Sequence, residues 1–338
     1  MIVRVSRRVR SLCDNLLKLR RQLSSAHQPP RHDMYDPPPE RPSESDCCGN
    51  GCAECVFDVY DREYARWRHR RRTGQGDRLR RDLLSATKCM PYRIVSARPL
   101  GDDDVHAYTF AATPAASGRL PIAYTQHVHV RLADGLDRPY TPVAVADDGC
   151  SFDVLVKAYP GGRFTGRLLE MSVDDVVAVR GPYGGVRYDG YDSVVMFAGG
   201  TGVAAFVGLI GSALDDDKCE TLLRLHYSCK TLDGVLMRKE LADYAAYWNC
   251  AVHLYLTREH DWSQRSKSFW YIENITKGRI SQDCVAKIVD KQQNLKTLWL
   301  ICGNDEFNRY VFNSLVDYNI KRDDIRLLNN TTKDFEVS

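Results

Sequence analysis

The sequence predicts an α+β protein of two domains, a small antiparallel β-barrel followed by a doubly wound α/β domain. The first indication is a series of short alternating segments at near-regular spacing, which is typical of a barrel. The segments cover residues 92–98, 105–111, 126–132, 140–145, 152–157 and 175–180. The second is a repeated alternation of strand-like and helix-like segments after residue 193. At 338 residues the chain is long enough for two cores.

Composition excludes several classes of protein. Hydrophobic residues make up 43% of the chain and charged residues 27%, which is ordinary for a globular protein. A net charge of +3 is too small to indicate nucleic-acid binding by itself, so we predict no nucleic-acid partner. Most of the 12 cysteines are single and scattered, which favours reduced, buried thiols over a disulfide framework.

The first 28 residues are basic and amphipathic. Their only acid is Asp14, and their apolar residues recur every three or four positions, which predicts one helical stripe. The basic residues are Arg4, Arg7, Arg8, Arg10, Lys18, Arg20 and Arg21. This pattern predicts a mitochondrial transit peptide. A basic amphipathic helix lying on a membrane or on the protein itself is the alternative, with a cytoplasmic location. Residues 29–45 are rich in proline and predict a linker.

A cysteine cluster opens the next segment, residues 46–72. Four cysteines lie within nine positions, at Cys47, Cys48, Cys52 and Cys55. Thiolates this close together can hold zinc or an iron–sulfur cluster. A local disulfide pair is the alternative, favoured in an oxidising compartment.

An aromatic helix is predicted directly after the cluster. Its apolar face consists of Val56, Tyr60, Tyr64 and Trp67, and the arginine-rich run 66–72 lies at its end. Such a run is either a solvated helix end or a docking patch for an acidic partner. We assign residues 73–87 to a linker.

The run Arg138-Pro139-Tyr140-Thr141-Pro142 lies between two alternating segments. Its two prolines remove two ladder donors, so this backbone cannot form a fully paired central strand. With period-two geometry Arg138 and Tyr140 point the same way, which places a guanidinium beside a flat ring. A pocket for a phosphorylated aromatic cofactor needs both groups. An edge strand with a surface arginine and a packed tyrosine is the alternative.

The next motif is the glycine-containing run Gly161-Gly162-Arg163-Phe164-Thr165, which leads into a short helix predicted at 166–171. Free backbone N–H groups at a helix start form an anion site, so a pyrophosphate fits there. Without other evidence, Gly-Gly before a helix indicates only a turn.

Residues 193–214 contain no charge and have the hydropathy of a membrane span. Their pattern instead predicts a strand at 194–198, a turn at Gly199-Gly200-Thr201-Gly202, and a helix at 203–214. Similar strand and helix pairs follow at 221–227 and 235–247, 250–256 and 281–292, and 297–302 and 305–317. We therefore predict a parallel sheet and no transmembrane segment. The glycines would let backbone approach a diphosphate, and Thr201 offers a hydroxyl.

Taken in order, these motifs resemble those of the NADH–cytochrome b5 reductase family, within the broader ferredoxin-reductase group. The resemblance covers roughly the last three quarters of the chain. Its landmarks are residues 138–142, Val156-Lys157-Ala158-Tyr159, residues 161–165, Arg180-Gly181-Pro182-Tyr183-Gly184, residues 198–202 and Cys302-Gly303. The cysteine segment resembles the oxidoreductase-like N-terminal module that precedes the reductase in cytochrome b5 reductase-like proteins.

The resemblance implies an FAD-binding barrel at 88–188 and an NADH-binding domain at 189–338. Arg138 would pair with the flavin phosphate beside Pro139, and Tyr140 would pack on the isoalloxazine. The Thr141 hydroxyl would bond near its reactive nitrogen. The remaining flavin contacts implied are Lys157, Tyr159, Gly161, Gly162, Arg163, Phe164 and Thr165.

On the nucleotide side, Gly199, Gly200, Thr201 and Gly202 would contact NADH. The run 227–236 resembles the family's segment near the adenosine ribose. Its Asp233 matches an acid expected to favour NADH over NADPH, although an ordinary acid at a helix start is the alternative. Cys302, beside Gly303, would lie against the nicotinamide and help to orient hydride transfer. A buried structural cysteine is the alternative there. Thr141 and Cys302 are thus the expected catalytic residues.

The chain departs from the family pattern at several places. Tyr124-Thr125 stands where glycine is frequent, Ala205 replaces a proline, and Asn304-Asp305 replaces prolines, although Asn304 can cap the next helix. The loop 187–192 is short, which leaves FMN open as an alternative to FAD.

The sequence therefore predicts a flavoprotein reductase that passes electrons from NADH through FAD to a one-electron acceptor such as cytochrome b5 or another haem protein. A flavin enzyme for a quinone or ferredoxin-like acceptor is one alternative. The other is a mitochondrial assembly or scaffold protein with a degenerate reductase domain.

Overall fold

A computed structural model of the chain describes residues 38–39, 41–42, 56–73, 83–100, 104–113, 120–146, 149–270 and 272–328. The predicted transit peptide, most of the proline-rich linker and the four clustered cysteines lie outside the described residues.

The predicted aromatic helix is confirmed as α1 (Val56–Thr73). Tyr60 stacks on Tyr64 at 5.8 Å between ring centroids, and Tyr64 stacks on Trp67 at 5.5 Å. Val59 is buried and packs with Ala86 and Tyr183. The helix is thus attached through Val59 to the barrel that follows it.

The barrel is one antiparallel sheet with the strand order β4-β3-β7-β1-β2-β6-β5. Its elements are β1 (Met90–Leu100), β2 (Val105–Ala112), β3 (His127–Arg131), β4 (Asp137–Tyr140), β5 (Ala144–Val145), β6 (Ser151–Lys157), α2 (Arg163–Glu170) and β7 (Val176–Tyr183). Alternate residues, such as Val128 and Val130, face the core, while His127 and His129 face the other way. The antiparallel barrel predicted from the alternating segments is confirmed.

The two edge strands of this sheet are neighbours in the chain. Only residues 141–143 separate β4 from β5, so the sheet must curl until its edges meet. The N–H of Val143 closes the seam by donating to the carbonyl of Asp153 at 2.9 Å. The single segment predicted at 140–145 was therefore wrong. Pro142 lies in the break because it has no N–H to donate to a ladder.

Residues 83–87, which we assigned to the linker, pack against the barrel. Leu83 and Leu84 join its core, and the Tyr92 hydroxyl donates to the carbonyl of Leu83 at 2.9 Å. The N–H of Gly181 donates to the carbonyl of Ser85, also at 2.9 Å. These residues connect α1 to β7.

The second domain is a parallel sheet with the strand order β11-β10-β9-β8-β12-β13. Its elements are β8 (Ser193–Gly199), a 3-10 turn (Gly200–Val203), α3 (Ala204–Leu214), β9 (Leu222–Cys229), α4 (Arg238–Ala245), β10 (Cys250–Leu256), α5 (Trp262–Arg265), β11 (Asn274–Lys277), α6 (Gln282–Asp290), β12 (Thr297–Cys302), α7 (Asp305–Asp317) and β13 (Ile325–Leu327). The doubly wound domain is confirmed, and the bounds of β10, β12 and α7 are those predicted.

Helix α4 begins three residues later than predicted. Met237 has a φ of +56°, in the left-handed region, so a right-handed helix cannot run through it. The residues before it form turns, in which Gly234 and Val235 donate to the carbonyls of Thr231 and Leu232. The short strands β11 and β13 and the one-turn helix α5 were not predicted, because segments of three or four residues carry too little periodicity.

The uncharged run 193–214 forms β8 and α3 inside the α/β domain. Within the described ranges, every helix falls short of the length or the apolar character needed to cross a bilayer. One hydrophobic cluster joins Val105, Ala107 and Leu155 of the barrel to Val207 and other residues of α3. The two sheets are thus packed against each other, which fixes the space between them.

Candidate functional site

A cleft of about 630 Å³ opens between the barrel and the carboxyl ends of the parallel strands. Its lining on the α/β side follows the ends of β8, β9 and β12. The strand order reverses between β8 and β12, and ligands of doubly wound sheets bind at this switch point. Both the volume and the position are those of a site for a small organic ligand.

Most of the residues predicted from the sequence line this one cleft. They are Arg138, Pro139, Tyr140, Thr141, Lys157, Tyr159, Gly162, Arg163, Phe164, Thr165, Gly199, Gly200, Thr201, Gly202, Cys302 and Gly303. Gly161 and Asp233 are not part of the lining, but their neighbours Gly162 and Gly234 are. Motifs more than 150 residues apart in the sequence are therefore brought to one cleft.

Strand β4 is held in place by the carboxylate of Asp137. One oxygen lies 2.5 Å from Nδ1 of His129, and the other lies 3.2 Å from Arg180 and 3.4 Å from Nε of Arg131. Burial favours the neutral acid, but the hydrogen bond from His129 and the three basic neighbours lower the pKa of Asp137 overall. Because Asp137 is pinned to β3 and β7, the next residue, Arg138, reaches the cleft.

Helix α2 begins at Arg163, three residues before the predicted start. Gly161 has a φ of +74°, and the N–H of Gly162 donates to the carbonyl of Tyr159 at 2.9 Å, so the turn is complete before Arg163. Gly162 caps the helix and has no side chain to accept from the first turn. The first-turn N–H groups, with Arg163 and Thr165 beside them, therefore present an anion site to the cleft.

Aromatic rings continue the barrel side of the site. The ring of Tyr140 lies 5.9 Å from that of Phe164, and burial raises the pKa of the Tyr140 hydroxyl, against the opposing charge of Arg138. Tyr159 is exposed, with Nζ of Lys157 5.7 Å from its ring centroid. Together these side chains form a flat, partly cationic wall.

His127 lines the cleft but was not among the predicted site residues. Its ring lies 5.8 Å from that of Tyr183 and 5.5 Å from that of His129. Burial, together with the neighbouring His129, lowers the pKa of His127 to about 4. The imidazole is therefore neutral at pH 7. The sequence did contain a signal for this position, because His127 alternates with the core residue Val128 on β3 and must therefore face the other side of the sheet.

On the opposite wall the glycine turn is shaped by packing. A Cβ on Gly202 would lie 2.1 Å from the carbonyl oxygen of Cys302, and a Cβ on Gly303 would lie 2.6 Å from the ring of Phe307. Gly200 has a φ of +56° with open space around it. The ends of β8 and β12 thus approach each other as closely as glycine allows.

Cys302 ends β12 at the base of this wall. Burial raises the pKa of its thiol to about 12, and Sγ lies 3.9 Å from the carbonyl oxygen of Leu328. A neutral thiol of this kind is a small apolar contact, not a nucleophile. The predicted cap at Asn304 is confirmed, because its Oδ1 accepts the N–H of Phe307 at 2.9 Å.

The run 227–236, which resembles the family's segment near the adenosine ribose, contributes to the cleft. Tyr227, Ser228, Cys229 and Lys230, at and after the end of β9, line it, at the carboxyl end of a parallel strand where such ligands bind. Asp233, four residues after the end of β9, is paired with Arg265 of α5, a partner that the sequence did not indicate.

The four clustered cysteines lie outside the described residues, so zinc or iron–sulfur ligation there stays a prediction. Within the residues that the structure does describe, no group of three or more His, Cys, Asp or Glu side chains is arranged to hold a metal ion.

A barrel and a doubly wound domain that share one cleft are the architecture of flavin- and pyridine-nucleotide-binding oxidoreductases. Comparison with protein families agrees with this class. The Oxidoreductase FAD-binding domain matches residues 94–188, and the Oxidoreductase NAD-binding domain matches residues 196–312. The family described as Oxidoreductase-like protein, N-terminal, matches residues 34–75.

Curated relatives identify the family. The mouse protein named NADH-cytochrome b5 reductase-like is 30% identical over 302 residues, covering 84% of this chain and 93% of the relative. The human protein of the same name is 30% identical over 287 residues, covering 82% and 90%. The chain belongs to the NADH–cytochrome b5 reductase-like family.

Solved structures agree on the fold. The CS-b5R domains of human Ncb5or in the NAD+ form superpose with a TM-score of 0.60 at 22% identity, covering 72% of this chain and 70% of that one. The cytochrome b5 reductase domain of Ulva prolifera nitrate reductase gives 0.59 at 21% identity, covering 71% and 97%.

Proposed function

We propose that this protein is an NADH-dependent, FAD-containing reductase that delivers electrons to a one-electron acceptor such as cytochrome b5. The carrying observation is that a single cleft is lined on one wall by the β4 motif and on the other by the carboxyl ends of β8, β9 and β12. A donor and a redox cofactor must meet for hydride transfer, and this cleft is where their two binding walls face each other.

The barrel wall supplies the groups that a flavin nucleotide needs. Arg138 and the first turn of α2 would hold its phosphates, and Tyr140 offers a flat ring for its isoalloxazine. The Thr141 hydroxyl is the nearby hydrogen-bonding group on the same edge. A bound flavin can take a hydride from a reduced nicotinamide and release electrons one at a time, which joins a two-electron donor to a haem.

The opposite wall orients the nicotinamide. Backbone at Gly199, Gly200 and Gly202 can approach a diphosphate because these residues have no Cβ, and the half-buried Cys302 thiol offers a neutral surface. His127 faces the same cleft as a neutral imidazole. The chain's contribution is therefore placement, water exclusion and phosphate charge balance.

The test is an absorbance spectrum of the purified chain, followed by anaerobic addition of NADH. A flavin spectrum that bleaches with NADH and recovers on addition of cytochrome b5 would support the proposal. Recovery only with a quinone or a ferredoxin-like protein would replace the acceptor and keep the enzyme.

A degenerate reductase domain makes the opposite prediction. Ala205 and Asn304, two departures from the family pattern, both line the cleft. If the protein stays colourless after FAD is supplied, or if its flavin is not reduced by NADH, the enzyme is excluded and a scaffold role takes its place.

Mitochondrial targeting by residues 1–28 is a separate proposal, supported by their basic, acid-poor amphipathic pattern. Fusion of these residues to a fluorescent protein tests it. Import that is lost when the arginines are replaced by glutamine would support targeting, and a fusion that stays outside mitochondria would refute it.

Metal binding by the cysteine segment is likewise proposed, on the spacing of Cys47, Cys48, Cys52 and Cys55. Elemental analysis of the full chain, compared with a variant in which all four are serine, tests it. About one zinc, or an iron–sulfur absorbance, lost in the variant would support ligation. Equal metal content in both proteins would refute it.

A further inference from the structure

The loop after β9 carries an ion pair at the rim of the cleft. Asp233 lies between Lys230 and Gly234, both of which line the cleft. Both terminal nitrogens of Arg265 donate to its carboxylate, with Nη1 3.2 Å from Oδ1 and Nη2 closer to Oδ2. The two side chains are 40% and 39% exposed, so the pair is open to solvent beside the lining residues Lys230 and Gly234.

Arg265 has a second acidic partner besides Asp233. Its Nε lies 3.6 Å from Oε1 of Glu259, whose side chain is only 4% exposed. The other oxygen of Glu259 accepts the N–H of Leu232 at 2.8 Å. A buried carboxylate thus also faces the guanidinium beside the loop, so Arg265 keeps an acidic neighbour if Asp233 turns towards a ligand.

The segment that carries Arg265 is also built into the sheet. Thr257 and Arg258 donate their N–H groups to the carbonyls of Cys229 and Lys230, at 2.9 and 2.8 Å. At its far end, Glu273 accepts two hydrogen bonds from Arg238, at 2.6 and 2.7 Å. The segment that carries Arg265 is therefore tied to the α/β domain on both sides of it.

The position of this pair in the fold indicates which part of a nucleotide it would contact. In doubly wound nucleotide-binding domains, an acid after the strand that follows the glycine turn accepts a hydrogen bond from the ribose 2′-hydroxyl and repels a 2′-phosphate, whereas an arginine there accommodates the phosphate. Here β9 is that strand and Asp233 follows it, while Arg265, which follows β10, pairs with Asp233 at the same place. We propose that Arg265 is a specificity-determining residue that offsets Asp233, so that the site accepts NADPH as well as NADH.

Each nucleotide would use a different member of the pair. A ribose 2′-hydroxyl can donate to Asp233 while Arg265 stays on Glu259. A 2′-phosphate can accept two N–H groups from the planar guanidinium, which is the geometry that arginine offers to phosphate. The inference rests on the proposed function only in assuming that the cleft binds a pyridine nucleotide.

Binding of two nucleotide fragments to the flavin-loaded full chain tests the proposal without requiring hydride transfer. The fragments, 2′,5′-ADP and 5′-AMP, differ by the 2′-phosphate. Calorimetry gives the ratio of their affinities, defined as the affinity for 2′,5′-ADP divided by that for 5′-AMP. In Arg265→Gln the ratio should fall by at least about tenfold, the size of one charge-assisted hydrogen bond. In Asp233→Asn it should move towards 2′,5′-ADP.

Lys239→Gln is the matched control. Lys239 pairs with Asp243 on the exposed face of α4, so its loss removes the same charge from the same domain without touching the loop. Its ratio should equal that of the wild type. If Arg265→Gln does not retain flavin, Arg265→Lys replaces it, because lysine keeps a positive charge beside Glu259 but loses the paired N–H groups of the guanidinium. Arg265→Lys should then lower the ratio, and Asp233→Asn, which leaves Arg265 in place, should raise it.

A ratio that is the same in wild type, Arg265→Gln and Asp233→Asn would overturn the proposal, as would wild-type protein that binds 5′-AMP but not 2′,5′-ADP. Anaerobic reduction with NADH is measured on the same samples. If NADH does not reduce the flavin but the affinity ratio depends on Arg265, the proposed reductase activity is excluded and this inference stands. If NADH reduces the flavin and the ratio is the same in all variants, the reductase activity stands and this inference is excluded.

Discussion

The two walls of the cleft are built on different principles. The barrel wall depends on charged side chains: Arg138 reaches the cleft because its neighbour Asp137 is held by His129 and Arg180. The α/β wall depends on the absence of side chains, since Gly202 and Gly303 let the ends of β8 and β12 meet. Charge on that side lies after the end of β9, at Lys230 in the lining and at the neighbouring pair Asp233 and Arg265.

This difference predicts which kind of substitution should disturb ligand binding at each wall of the cleft. A phosphate is held by directed charges, which an edge strand can present only if something else fixes the strand. A nicotinamide is flat and must approach backbone closely, so steric room decides its binding. The α/β wall should therefore be sensitive to added atoms, and the barrel wall to removed charges.

The largest effect is expected from adding one methyl group to the glycine turn. In Gly202→Ala the new Cβ would lie 2.1 Å from a backbone oxygen of Cys302, so the ends of β8 and β12 must separate. Displacement of this wall should slow flavin reduction by NADH by about a hundredfold or more. Stopped-flow absorbance under anaerobic conditions measures the rate.

Gly208→Ala controls for a general effect of alanine in the same region. Its Cβ would make ordinary contacts at 3.7 Å with Tyr124, and alanine suits the helix α3. The control should reduce its flavin at the wild-type rate. Equal rates in Gly202→Ala would mean that the close approach is irrelevant to the chemistry.

The next largest effect should come from the buried network behind β4. Asp137→Asn removes a charge from among His129, Arg131 and Arg180, whose side chains are mostly buried. Removing the carboxylate charge beside the buried Arg180 guanidinium should lower the free energy of unfolding by about 3 kcal/mol. Chemical denaturation of the holoprotein measures this.

Asp174→Asn tests whether the loss of any ion pair in the barrel lowers the free energy of unfolding by the same amount. Asp174 pairs with Arg93 on the surface, with side chains 69% and 48% exposed. Its loss should cost less than about 1 kcal/mol, because exposed pairs are screened by water. Equal losses in the two variants would contradict the role assigned to Asp137.

Removing the phosphate-facing charge itself should weaken flavin binding more than it weakens the fold. Arg138→Ala leaves the Asp137 network intact and should raise the Kd for FAD by roughly 10- to 100-fold, the range of one or two charge-assisted hydrogen bonds. Equilibrium dialysis or fluorescence titration of the apoprotein measures the Kd.

Arg98→Ala, on the exposed face of β1, is the control for loss of a barrel cation. It should bind FAD as the wild type does. An equal loss of affinity in both variants would point to general electrostatics in place of a specific contact at Arg138.

The smallest effect at neutral pH is a pH dependence that arises from the α/β domain. His226 stacks between Phe197 and His253, and burial lowers its pKa to about 3 from 6.5. Because the unfolded chain takes up this proton below pH 6.5 and the folded chain does not, stability is complete above 6.5 and falls as the pH decreases. The slope from this group is at most about 1.4 kcal/mol per pH unit.

His226→Phe should flatten the stability profile between pH 6.5 and 4, as seen by denaturation at several pH values. The exposed His260 provides the control, and His260→Gln should leave the slope as it was. An unchanged slope in His226→Phe would assign the acid sensitivity to other buried groups, such as His127.

Much of the fold could be predicted from the sequence because its signals are local. Alternation marks the barrel strands, and uninterrupted apolar runs followed by helical periods mark the parallel ones. The prolines at Pro139 and Pro142 identified an edge, and Asn304 identified a helix start. The limits of α2 and α4 were less accurate, because left-handed residues such as Gly161 and Met237 are set by the packed turn and are not written in the pattern.

The sequence by itself determined the two domains, the order of the motifs and the residue types that suit a flavin and a nucleotide, since each follows from periodicity and from short-range chemistry. Only the tertiary structure decided that these motifs share one cleft. It also paired Asp137 with His129 and Arg180, and Asp233 with Arg265. Such pairs join residues from different elements, and strand pairing and loop packing decide which charges meet.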